Sequence, residues 1–359
     1  MLLFNTEHGF MEAIVRGYRL GIINSTQYNN FCQYLKVQLN GTEYGELTHS
    51  LPSPITTSIL SATLRRNFVE EFRYLQANAT GALSHFLAYL TYEYQIDNVV
   101  FLITAMLHES ATTEELIERC HPLGLFEALP ALTVARNVEE LYNTVLVETP
   151  LAPYFKECLK AKDLDDFNVE IIRNTLHRAY LEDFNRFCGQ CDSTTAEVMG
   201  MVLAHEADRR TLNVIINSLG TSIPRETKIA LLPKFGRLHE LGVSLKLANA
   251  EELTQVKSIV EAECPEYRQL LDAAMSNQKD DGKMNMTAST LDAGVRSLEE
   301  YFFEREVSMC KDAMLYQFSM CPFYAWVKLK EQEIRNIVWI AECIAQQQKE
   351  NIHHFIPIY

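Results

Sequence analysis

Apolar residues recur at helical spacing along most of this chain, and strand-like alternation is scarce, which restricts the fold to packed helices. In residues 9–20, Phe10, Ile14 and Tyr18 are four apart with Met11 and Val15 beside them, so a helix there would carry one apolar stripe. The same period runs through residues 67–75, 82–107, 138–147, 168–187, 195–219, 251–262, 291–314 and 323–348. Leu51-Pro52-Ser53-Pro54, Thr149-Pro150-Leu151-Ala152-Pro153 and Gly220-Thr221-Ser222-Ile223-Pro224 lie between these stretches and read as turns. Ser222 ahead of Pro224 and Glu226 marks a helix start, and Thr194-Thr195-Ala196-Glu197 has the pattern of a capping box. Residues 275–289 are the most polar and least periodic stretch and read as a mobile surface loop.

Length and charge remove several function classes. The 359 residues allow a sizeable core, and 47% apolar with 22% charged residues is the balance of a folded domain. Lys plus Arg number 32 against 47 Asp plus Glu, a net charge of −15. Such a surface repels phosphate backbones and anionic headgroups, so nucleic acid is not an expected partner and any membrane association is expected to run through protein. The opening residues have no basic region and reach Glu7 before an apolar run can form, so a secretory signal is not expected. The most apolar windows, residues 98–107 and 337–345, are shorter than the roughly 20 residues a spanning helix needs. The nine cysteines point to reduced thiols in the cytosol, and the sequons at Asn24, Asn40, Asn78 and Asn285 read as chance.

An internal repeat is the main organising signal. Only three asparagines are followed by two Val or Ile residues, and each has a carboxylate five positions upstream. The pairs are Glu93 with Asn98, Asp208 with Asn213, and Glu331 with Asn336, and the asparagines stand 115 and 123 residues apart. That is near one third of the chain, so three helical units are expected, at residues 1–130, 131–250 and 251–359. Residues five apart on a helix point about 140° apart, so each pair serves packing rather than a shared ligand. Glu206 with Arg210 and Glu331 with Arg335 are spaced for ion pairs along one helix. Motif carboxylates facing a seam between units would satisfy backbone groups at helix ends and set the crossing geometry.

Catalytic patterns are missing where they would be legible. There is no GxxxxGK[ST] or GxGxxG for a nucleotide and no GxSxG elbow. His108-Glu109, His205-Glu206 and His239-Glu240 open like a zinc-binding helix, yet Thr112, Arg209 and Val243 stand where the second His would be. His205, Glu206 and Asp208 could in principle bind a metal, but a salt-bridged helix face is the expectation. Cys188-Gly189-Gln190-Cys191 has redox spacing at the end of a helical run rather than between strand and helix. His353-His354 reads as surface, and Tyr301, Phe302, Phe303, Phe318, Phe323, Tyr324 and Trp326 as core.

The run from Lys330 through Gln346, KEQEIRNIVWIAECIAQ, resembles the signature of subunit d of the eukaryotic vacuolar-type proton ATPases. The likeness continues through Val15-Arg16-Gly17, Tyr94 to Val99, Cys120-His121-Pro122-Leu123-Gly124, Asn168 to Leu176, Glu206 to Arg210 and the closing Ile356-Pro357-Ile358-Tyr359. The resemblance implies an all-α, funnel-shaped fold of three pseudo-repeated helical domains. It also implies a non-catalytic role without cofactor or metal, at the cytoplasmic face of acidic-organelle membranes. The implied partners are the proteolipid c ring, the central rotor shaft subunits D and F, and other membrane-sector subunits. Arg16, Arg19, Arg65, Arg66, Arg209, Arg210 and Arg335 are candidate interface anchors, or else partners of acids on their own helices. The competing expectations are a helical-repeat cytosolic scaffold unrelated to proton pumping, and a metal- or thiol-dependent enzyme centred on His205, Glu206 and Asp208 or on Cys188 and Cys191.

Overall fold

In a computed structural model of the chain, the structure describes residues 2–28, 31, 39, 41–49, 56–108, 113–127, 129, 140, 149–158, 169–268, 271 and 298–359. Among these the architecture is helical and no strand occurs. The long helices are α1 (Leu2–Leu20), α2 (Thr57–Asn78), α3 (Gly81–His108), α4 (Val169–Cys188), α5 (Ser193–Asn217), α6 (Leu298–Ala313) and α7 (Cys321–Ala345). The stretches expected at 138–147 and 275–289, and the turn expected at Leu51 to Pro54, lie outside the described residues.

Local chemistry explains the helix ends. The Thr56 hydroxyl caps α2 by accepting the Ile59 amide, and Gly81, at φ +54°, opens α3. α5 starts earlier than the capping-box pattern suggests. Its cap is Asp192, which accepts the Thr195 amide at 2.9 Å and the Thr195 hydroxyl at 2.6 Å, so Thr195 is drawn into the first turn. A carboxylate that takes both donors, and carries charge at the positive end of the helix, outcompetes the Thr194 hydroxyl. Proline at the start of α7 tolerates the missing amide there.

The chain divides into two compact units. The first joins Met1–Thr80 to Val260–Tyr359, and the second is Gly81–Ile259. In the first unit α7 is the hub, touching α1, α2, α6 and the 3₁₀ turn Lys349–His354. Trp326 of α7 is fully buried, with its rings 5.4 Å from Tyr18 of α1 and 5.5 Å from Phe68 of α2. In the second unit α4 is the hub, packed on α3, α5 and the short helix Ala152–Cys158. Phe184 of α4 meets Phe86 and Tyr89 of α3 at 5.5 and 5.2 Å, and the Tyr89 and Tyr154 hydroxyls both donate to Asp183. Each buried aromatic contributes about 1.5–3 kcal/mol relative to exposure.

Candidate functional site

Helix side chains that grip distant backbone recur in both units. In the second unit the Asn98 side chain donates to the His121 carbonyl at 3.0 Å and accepts the His121 amide at 2.7 Å. In the first unit Asn336 does the same to Ile356, at 2.7 and 3.2 Å. A primary amide offers one donor and one acceptor at the spacing of a peptide group, so each asparagine satisfies both polar groups of one residue. Asp208 of α5 performs half of this action, accepting the Leu238 amide at 3.0 Å at the start of the short helix Arg237–Glu240. Asn213, the third motif asparagine, lies on the same helix.

Glycines let the gripped segments approach. A Cβ on Gly124 would overlap the Tyr94 carbonyl and sit 2.5 Å from Asn98 Nδ2. One on Gly236, at φ +96°, would lie 2.8 Å from Asp208 Oδ1. The turn after each helix can therefore seat only without a side chain there.

The motif carboxylates take different partners. Glu93 receives Arg210 at 3.0 Å, and Arg210 also meets Glu206 at 2.7 Å, as its four-residue spacing predicts. Arg209 holds the two oxygens of Glu206 at 2.7 and 2.8 Å. Burial would raise the Glu206 carboxyl, but the two guanidiniums win and hold it down to about 2. Glu331 pairs with Lys328 at 3.3 Å, and the bridge expected from Glu331 to Arg335 does not form, because Arg335 lies over the Phe303 ring at 3.9 Å. Beside the first network, His177 is buried with Nε2 3.1 Å from Asp97, and burial and Arg210 together keep it neutral.

Most candidate interface arginines are committed within their own unit. Arg16 binds Glu12 at 2.6 Å and donates to the carbonyls of Met314 and Tyr316, clasping the turn between α6 and α7 to α1. Arg19 sits 5.0 Å over the Tyr359 ring, whose residue also accepts the Ser25 amide and hydroxyl through its carbonyl. Arg65 and Arg66 differ: both are exposed on α2. The surface also reverses one expectation: Phe10, placed by its spacing in the apolar stripe with Ile14 and Tyr18, faces solvent. On α1, Leu3, Thr6, Phe10, Ala13, Gly17 and Leu20 are all exposed and follow spacings of three and four, a heptad row opposite the packed face. Leu3, Phe10 and Leu20 are 71, 65 and 85% exposed. In the sequence it shows as a second row of apolar and small residues at helical spacing.

A further polar cluster escaped notice because its members are scattered in sequence. Lys330 of α7 is fully buried, with Nζ 3.1 Å from Glu333 and 3.2 Å from Glu43. A Lys and a Glu three apart in a helix otherwise full of buried apolar residues were the available clue.

The catalytic alternatives find other structural uses for their residues. Glu206 is occupied by two arginines and Asp208 by a backbone amide, and no group of three ligating side chains converges among the described residues. Cys188 is the buried last residue of α4 and Cys191 stands in the turn after it, where burial and then Asp192 push the Cys191 thiol up to about 11, away from the thiolate a redox centre needs. Phe302, Phe323, Tyr324 and Trp326 are core, as expected from the aromatic run, whereas Tyr301, Phe303 and Phe318 are only half-buried. No described helix is long and apolar enough to cross a membrane.

Comparison with known proteins adds what geometry alone does not give. The profile of the ATP synthase (C/AC39) subunit family matches residues 11–355. The V-type proton ATPase subunit d of Neurospora crassa is 48% identical, over 100% of this chain and 99% of its own length. Subunit d1 of Arabidopsis thaliana is 43% identical over 98 and 96%. Subunit d of Saccharomyces cerevisiae is 42% identical, over 99% of each chain.

Proposed function

The chain belongs to the ATP synthase (C/AC39) subunit family, as a subunit d of the V-type proton ATPase, and from that premise we propose that it couples rotation to proton transport without a reaction of its own. It is a component of the proton-pumping complex and has that complex's other subunits as partners. In this reading it stands on the cytoplasmic face of an acidic-organelle membrane, seated on the proteolipid c ring. The shaft subunits D and F deliver torque to it, and other membrane-sector subunits contact it. Three pseudo-repeated domains, bounded at residues 130 and 250, form its funnel. Similarity along the whole chain, at 42–48% identity, to proteins named subunit d or d1 of the V-type proton ATPase carries the proposal. A helical scaffold unrelated to pumping finds no support in these relatives.

Two structural features support a mechanical role. A torque-bearing part needs segments that do not slip, and the Asn98, Asp208 and Asn336 grips lock returning segments onto long helices by backbone hydrogen bonds rather than by loose apolar contact. It also needs a surface on which a neighbour can seat, and the exposed heptad row of α1, with small Ala13 and Gly17 between large apolar residues, suits close approach of a helix from another pump subunit. The test is to remove the chain from cells and follow organelle pH, and separately to wash membranes with high salt. The expected results are lost acidification and retention of the chain with the proteolipid complex. Unchanged acidity together with full release would sink the proposal.

A further inference from the structure

The polar cluster beneath α1 in the first unit holds more acid than base. Glu333 of α7 is fully buried and fully used: it takes Lys330, the Tyr44 hydroxyl and, on its other oxygen, the Ile23 amide at 2.6 Å. Glu43 reaches the same ammonium at 3.2 Å and lies so close to Gly21 that a Cβ there would overlap its carboxylate. Tyr44 also accepts from Lys330 at 3.1 Å. The residues that end α1 and the segment carrying Glu43 and Tyr44 are therefore tied to α7 through one ammonium.

Glu71, brought in by α2, is the third carboxylate. Its Oε1 accepts only a long 3.4 Å contact from Asn67, and its Oε2 is buried without a hydrogen-bond partner. The charged and titratable groups that act on it are Lys330 and Glu333 from α7, Glu43 and Tyr44 from the 41–49 segment and Tyr18 from α1. With Glu43 and Glu333 ionised against Lys330 the cluster carries one net negative charge, and ionising Glu71 makes it two. In a medium of low dielectric the second uncompensated charge is costly, so ionisation of Glu71 is held back.

We propose that Glu71 is the proton-controlled neighbour of a latch, made by Glu43, Glu333 and Lys330, that fastens Ile23 and Tyr44 to α7 and loosens when Glu71 ionises beside it. Burial is the main reason its carboxyl rises to about 7, with Glu43 and Glu333 adding to burial and Lys330 and Asn67 opposing it. Because the folded state holds this proton more tightly than an unfolded carboxyl at its ordinary value, the latch is fully stabilised below about 4.5. It loses that stabilisation as pH rises toward 7, and stays flat above.

The experiment uses the full chain and its Glu71→Gln variant between pH 5.5 and 8.5. Hydrogen exchange of the Ile23 amide, corrected for intrinsic chemistry, is expected to lose roughly tenfold protection across neutrality in the parent chain and to stay level in the variant. Equal loss in both, or none in the parent, overturns the latch. If the variant does not fold, infrared titration of the parent decides: a protonated carboxyl band vanishing near pH 7 upholds the proposal, and its absence refutes it.

Discussion

Asn98 and Asn336 each satisfy two buried or half-buried backbone groups at once, so a residue of similar size without the amide leaves both orphaned. Asn98→Leu and Asn336→Leu are each expected to cost about 2–4 kcal/mol in urea unfolding, at roughly 1–3 kcal/mol per stranded group. A cost near zero would mean that the grips contribute nothing. Glu206 gives an effect of pH with a definite sign. Its carboxyl is depressed to about 2 in the folded chain, so it stabilises fully above the ordinary carboxylate value and loses that contribution as pH falls from about 4.5 toward 2. On the order of 3 kcal/mol is involved, and the Glu206→Gln variant is expected to show a shallower acid limb than the parent chain in unfolding followed from pH 5 to 2.

Helices here are fixed as much by the turns that return to them as by their own faces. Gly124 packs against the Tyr94 carbonyl, and backbone cannot give way as a flexible side chain can. Gly124→Ala is therefore expected to cost about 1–3 kcal/mol and to weaken exchange protection at His121, measured against the parent chain. At α5, Asp192→Ala removes the cap from two donors and is expected to cost about 1 kcal/mol in thermal unfolding. The helical spans expected from periodicity agree within two residues for α3, α4 and α5, each of which buries apolar residues at helical spacing. For α2 the spacing indicates 67–75 only, because Arg65 and Arg66 interrupt the pattern on the face that meets solvent. For α1 the spacing indicates a start at residue 9 with Phe10 in the buried stripe, whereas the helix begins at Leu2 and Phe10 faces solvent, because the packed face runs through His8, Met11, Glu12 and Val15.

For the molecule as a whole, the α1 row separates stability from assembly. Leu3→Ser with Phe10→Ser removes apolar atoms that are already in water, so the unfolding midpoint is expected to change little while retention with the proton-pumping complex falls in pull-down from membranes. A double variant that assembles as well as the parent would exclude this face. The helical class, the acidic surface, the absence of nucleotide-binding patterns and the resemblance to a pump subunit were all written in the linear order of residues, because period, charge and motif are local properties. The polar grips were half legible: Asn98 and Asn336 stood out by their neighbours, but the residues they hold are 23 and 20 positions away, a distance no pattern specifies. That Arg335 covers Phe303 rather than Glu331, and that Glu43 and Glu333 share one ammonium, was decided only in three dimensions. A side chain's partner and its proton depend on which groups the packed core brings within a few ångströms and how much water it leaves there.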